Sequence, residues 1–240
     1  MTKGRGKIMR GERADTSEAG FSLIELIIAL ALTLFVTAAA FTLLADAFGV
    51  RTREDDRTEA LADARRALHV MSREIASAGF NLPTGSSLSP NGIVAAQSGL
   101  TSIRVLANHG GPNLNLPVDD SEDVLYRFTT DPATGRQIIL RHDYNDTGPQ
   151  QTSIVVDDVD NLRIRYFDRR VEYTPINCNI NVTTAGVTDS ADITKAKYLV
   201  ITICVNLPQV GTPGDAAFKP ASRVQLTSDV TLRNSGLNNF

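Results

Sequence analysis

The chain has 240 residues, 42% of them hydrophobic, and its 24 basic and 27 acidic side chains leave a formal net charge of only -3. That balance excludes an electrostatic nucleic-acid footprint and a polyanionic tail, so bulk charge does not choose the partners. The length suits one modest core once the polar and apolar N-terminal segments are set aside.

Residues Met1 to Gly20 are polar, with Lys3, Arg5, Lys7, Arg10 and Arg13 against Glu12, Asp15 and Glu18. Gly20 to Ala45, GFSLIELIIALALTLFVTAAAFTLLA, carries a single charge at Glu25, and no side chain from Leu26 to Ala45 is ionisable. At helical rise that run covers ~30 Å, about the hydrocarbon thickness of a bilayer, so it is long enough to cross one. Basic residues ahead of the run favour keeping the N-terminal end in the cytoplasm and exporting the rest. A carboxylate near the end of a membrane helix costs a few kcal/mol unless a cation meets it, which marks Glu25 as a functional candidate. A cut between Gly20 and Phe21 would create a free amine four residues before Glu25, on the same helical face.

Gly20, Phe21, Ser22, Leu23, Ile24 and Glu25, followed by the apolar run, resemble the class III signal of type IV prepilins and type II secretion pseudopilins. The resemblance implies that a membrane prepilin peptidase cuts between Gly20 and Phe21 and N-methylates Phe21. It further implies that Glu25 pairs with the terminal amine of an adjacent subunit. The competing reading is an ordinary signal anchor with one stray Glu. A conventional secretory signal fits less well, because it is cut after its apolar region.

Beyond the apolar run, Asp46 to Gly79 keeps helical periodicity but gains charge. Leu61, Ala64, Leu68, Met71, Ile75 and Ala78 form one apolar stripe, flanked by Glu59, Arg65, Arg66, Arg73 and Glu74. No proline lies between Phe21 and Leu82, and Gly49 weakens a helix by only about 1 kcal/mol. One helix from about Ser22 to Ala78 is predicted, stopped by Gly79 with Pro83 soon after. The stripe is expected to pack on a sheet, the other reading being a solvated coiled coil.

From Asn81 turn and loop chemistry takes over, then short β-rich runs: 102–106, 124–129, 138–142, 153–157, 162–168, 198–206 and 223–233. Leu162, Ile164 and Tyr166 alternate with Arg163 and Arg165, as in a half-exposed strand. YLVITICV is apolar on both faces and belongs at the centre of its sheet. The predicted architecture is α+β, a long N-terminal helix whose amphipathic half packs on antiparallel sheet. Its segments are a leader over 1–20, a membrane half over 21–45, an amphipathic half over 46–79 and a β-rich periplasmic domain over 80–240. The stretches 108–123 and 174–196 read as long loops where partner-specific surface would sit.

Chemistry is sparse. His69, His109 and His142 have no metal-ligand spacing with one another or with cysteine, so no metal or cofactor is expected. No CxxC, GxSxG, HExxH or phosphate-binding glycine loop is present, and no enzyme is expected. Asp143, Asn145, Thr147 and Gly148 imitate half a calcium loop, but Ile154 stands where its bidentate Glu belongs, which favours a hairpin turn. Asp119, Asp120, Glu122 and Asp123 read as a solvated acidic loop. Cys178 and Cys204 fall in the part this topology exports, where disulfides persist, and are expected to bond, closing a loop of about 25 residues worth on the order of 3 kcal/mol. The alternative is two buried thiols.

DARRALHVMSREIASAGF, LYRF with IILR, VDDVDNLRIRYFD and VTLRNSG resemble PilW-like minor pilins and the related J-type pseudopilins. This likeness implies a minor subunit that primes a type IV pilus or sits at its tip, on the cell surface after residence in the inner membrane. Implied partners are other minor and major pilins, the prepilin peptidase and the inner-membrane assembly platform. A minor pseudopilin of type II secretion shares the whole logic; a signal-anchored periplasmic binding or enzymatic domain is the alternative from another class.

Overall fold

The computed structural model describes residues 21–82, 89–110, 119, 121–149, 151–174, 178, 183–184, 189–190, 192–207, 209, 211–214 and 218–234. The leader, Gly20 and Pro83 lie outside that set. The chain divides into two compact units, Met1–Ala47 and Phe48–Phe240. Helix α1, Leu23–Ala76, supplies residues to both.

In the first unit α1 is apolar all round, and every side chain from Phe21 to Ala45 is exposed. Its hydroxyls are satisfied within the helix. Thr33 donates to the carbonyls of Ala29 at 3.0 Å and Leu30 at 2.8 Å, Thr37 to Thr33 at 2.6 Å and Thr42 to Ala39 at 2.8 Å. Such back-bonding lets threonine sit in an apolar medium without an unpaired donor.

In the second unit, α1 turns Ala64, Ala67, Leu68, Met71 and Ile75 into the core. The predicted stripe is there, with Ala67 added and Leu61 only partly buried. The helix ends two residues earlier than predicted. Ser77 and Ala78 close in tighter turns, Ala78 N–H bonding the Ile75 carbonyl at 3.1 Å, before Gly79 reverses the chain at φ +80.

Two antiparallel sheets receive this face. The first runs β1 (Ser102–Leu106), β2 (Asp123–Thr130), β3 (Gln137–Asp143) and β4 (Thr152–Val156), in the order β1-β2-β3-β4. The second joins β5 (Val159–Phe167), β8 (Tyr198–Leu207) and β9 (Ser222–Thr231), with β8 central. A ribbon of β6 (Tyr173–Thr174) and β7 (Thr183–Thr184) interrupts the long loop predicted over 174–196. All seven predicted runs coincide with strands to within three residues at each end.

The two faces of β8 explain its position. Leu199, Ile201, Ile203 and Val205 join the α1 core, while Tyr198 and Val200 pack with Phe167 and Val171 on the opposite face. Alternation in β5 is as expected: Leu162, Ile164 and Tyr166 are buried, and Arg165 turns away to pair with Asp189 at 2.6 Å. The α+β arrangement of a long apolar-headed helix with antiparallel sheets is therefore the observed fold.

Candidate functional site

The site with an unusual chemical demand is the start of α1. Ser22 sits just ahead of the helix, and its carbonyl accepts the first bonds, from Glu25 N–H at 3.0 Å and Leu26 N–H at 3.1 Å. This places Glu25 in the first turn, where a carboxylate interacts favourably with the exposed N–H groups and the positive end of the helix dipole. Phe21 is 84% exposed and Leu23 76% exposed, so Glu25 stands on an uncovered apolar surface. Among the described residues no ion pair reaches Glu25. The helix contains a stretch long and apolar enough to cross a membrane.

Elsewhere the structure distributes the remaining candidates into structural roles. His69 is exposed on α1, His109 stacks on Phe80 at 5.7 Å, and His142 meets the Thr152 hydroxyl at 2.8 Å and the edge of Tyr144 at 4.6 Å. They are not brought together. Among the described residues no group of three His, Cys, Asp or Glu side chains could hold a metal ion. The half-match to a calcium loop is a hairpin: β3 and β4 pair across it. Asp143 is buried and receives the N–H groups of Ser121 at 2.6 Å and Asn145 at 3.1 Å.

The acidic loop differs from its reading as a solvated cluster. Glu122 is 1% exposed and accepts the backbone N–H groups of His109, Gly110 and Asp119, so one carboxylate organises the turn before β2. Asp123 is 8% exposed and is gripped by both arms of Arg104, at 2.6 and 2.5 Å. Buried carboxylates survive because hydrogen bonds and a cation replace water, a circumstance that an acidic run in sequence does not reveal. Asp119 is exposed, as expected, and Asp120 lies outside the described residues.

A second group of polar residues escaped sequence reasoning. Glu74 on α1 receives Arg141 Nε and Nη2 from β3, each at 3.2 Å, and the Tyr126 hydroxyl from β2 at 2.5 Å. Burial first, and then the Glu74 charge, push the Tyr126 phenol well above its usual range. Glu74 reads from sequence as one more flanking charge; only the pairing of β2 with β3 places Tyr126 opposite Arg141.

Cys178 is half-buried and Cys204 is buried on β8, both as thiols. The prokaryotic N-terminal methylation motif matches residues 15–43. That match spans the Gly20–Glu25 sequence and much of the apolar half of α1. Motif and helix together support a membrane-anchored protein of the type IV prepilin-like kind, a group of structural subunits. No match is found among curated proteins.

Proposed function

We propose that this chain is a minor type IV pilin, made as a prepilin and installed in a filament through its N-terminal helix. The observation that carries the reading is the methylation motif over 15–43, which contains Gly20-Phe21 and the lone Glu25 of the exposed apolar half of α1. Prepilin peptidase cuts between Gly20 and Phe21 and methylates the new amine. The mature subunit then waits in the inner membrane, residues 21–45 in lipid and 80–240 in the periplasm. On assembly the helix exchanges lipid for neighbouring apolar helices, a nearly balanced transfer because both surroundings are apolar.

In that bundle Glu25 accepts the Phe21 ammonium of the adjacent subunit. The pair sets register, since a slipped helix leaves a charge unpaired in a low dielectric at about 3–5 kcal/mol. Likeness to PilW-type sequences supports a priming or tip role among other minor and major pilins, with no catalysis of its own. Membrane-extracted protein, analysed by intact and N-terminal peptide mass spectrometry, should begin at N-methylated Phe21. A bulky residue at Gly20 should leave the leader attached. An unprocessed Met1 terminus in piliated cells would overturn the reading.

A further inference from the structure

The geometry points to Cys178 and Cys204 as a thiol pair with separate roles: Cys178 exchanges first with an incoming disulfide oxidant, and Cys204 resolves the mixed disulfide into a bond within the chain. Cys204 lies on the central strand and is only 2% exposed, with Gln225 of β9 directly across from it. Paired residues on adjacent strands share a face, their Cβ atoms about 5 Å apart. Gln225 Oε1 accepts the backbone N–H of Cys178 at 2.6 Å, and Gln225 Nε2 donates to the Thr227 hydroxyl at 3.1 Å, so the amide is held at both ends. This clamp holds Cys178 against the residue that faces Cys204, and the two thiols are close enough to perturb one another electrostatically.

Access then separates them. The half-buried Cys178 is open to a reagent that the buried Cys204 cannot meet. Burial is the main cause that raises both thiols, and Cys204 is the more deeply buried of the two. Attack requires thiolate and an open approach, and burial disfavours both more strongly at Cys204 than at Cys178.

The steps balance with a disulfide-bearing oxidant. The Cys178 thiolate, its proton lost to solvent, attacks one oxidant sulfur, breaks the oxidant S–S bond and releases the other sulfur as a thiolate. Cys204 then gives up its proton and attacks the Cys178 sulfur, forming Cys178–Cys204 and releasing the second oxidant thiolate. Two electrons pass to the oxidant, whose two thiolates can take up the two protons. In cells the chemistry rests on the proposed export of residues 80–240 to an oxidising compartment. Its order is a property of this chain and can be tested without export.

Purified full-length chain in detergent micelles is incubated with oxidised glutathione, quenched with acid at intervals and peptide-mapped. The wild type should pass through a glutathione adduct at Cys178 and end as Cys178–Cys204 with no adduct. Cys204→Ser should stop at a persistent adduct on Cys178, and Cys178→Ser should stay unmodified in the folded state. Gln225→Leu should prolong the Cys178 adduct in the wild-type thiol background. First adducts at Cys204, equal labelling of the two single variants, or a lasting wild-type adduct would overturn the assignment. Should Cys204→Ser not fold, the wild-type time course alone decides which sulfur is modified first. Failure of the pilin reading would leave these results unchanged, whereas free thiols in chain isolated from cells, when the purified chain cross-links in glutathione, would count against export of residues 80–240.

Discussion

Gly92 shows how a single missing side chain supports the join between helix and sheet. Its φ is +72, and a Cβ there would fall on the backbone of Gly79 and come within 2.5 Å of the Leu106 carbonyl oxygen. The close approach exists because Gly79 N–H bonds Leu106 at 2.9 Å and Leu106 N–H bonds Gly92 at 2.7 Å, tying the end of α1 to the end of β1. Gly135 has the same φ of +72, with nothing within 4 Å of its would-be Cβ. Gly135→Ala should therefore cost only the left-handed penalty of about 1–2 kcal/mol, while Gly92→Ala should cost several kcal/mol more by adding backbone collision. Thermal melts of both variants in detergent test this; similar losses would mean that the Gly92 contact relaxes freely. Gly79 is legible in sequence because it follows an apolar stripe, whereas Gly92 is one of several turn glycines until Leu106 is brought against it.

For α1 as an element, the apolar stripe and the polar clamp carry separate information. Spacing alone gives the buried face, since Ala64, Leu68, Met71 and Ile75 recur every three or four residues. The same pattern cannot say which sheet receives that face or how it is oriented. Glu74 helps to set both, being bound by Arg141 and Tyr126 from the first sheet while Ser72, two residues earlier, meets Ser228 of β9 at 3.1 Å. The side chains of Glu74 and Arg141 are only 13% and 14% exposed, so the pair is screened little by solvent. Glu74→Ala should lower stability by about 3 kcal/mol, because Arg141 and the Tyr126 hydroxyl lose their common acceptor inside the fold. Asp143, 3.3 Å from Arg141, remains as a partial partner and keeps the loss from being larger. Adding Arg141→Met should recover part of the loss, and a denaturation double-mutant cycle measures it. Strictly additive losses would show that the two side chains act independently.

At the scale of the whole molecule, the methylation motif was legible because Gly20, Phe21 and Glu25 lie within one stretch of six residues and their chemistry is local. The thiol pair was legible only as two cysteines in a segment expected to be exported; the placement of Cys178 near β8 depends on the β8–β9 register and on Gln225, which no local pattern encodes. Glu25 distinguishes a filament subunit from a plain membrane anchor. For an anchor, Glu25→Leu removes a charge from the apolar segment and should leave localisation and function unchanged or improved. For a filament subunit the substitution keeps the helix in lipid yet deprives a neighbour's terminal amine of its acceptor. Processing should then continue while assembly falls. With an unpaired buried charge costing about 3–5 kcal/mol, initiation should drop by two orders of magnitude or more where this subunit primes the filament. Surface pili would be counted in cells whose only copy carries Glu25→Leu, with protein amount and Phe21 methylation matched to wild type. Secreted substrate would be measured in the same cells, because a loss of secretion with no pilus defect would move the protein to a type II secretion filament. Normal pili and normal secretion would make Glu25 a bystander and remove the proposed register mechanism.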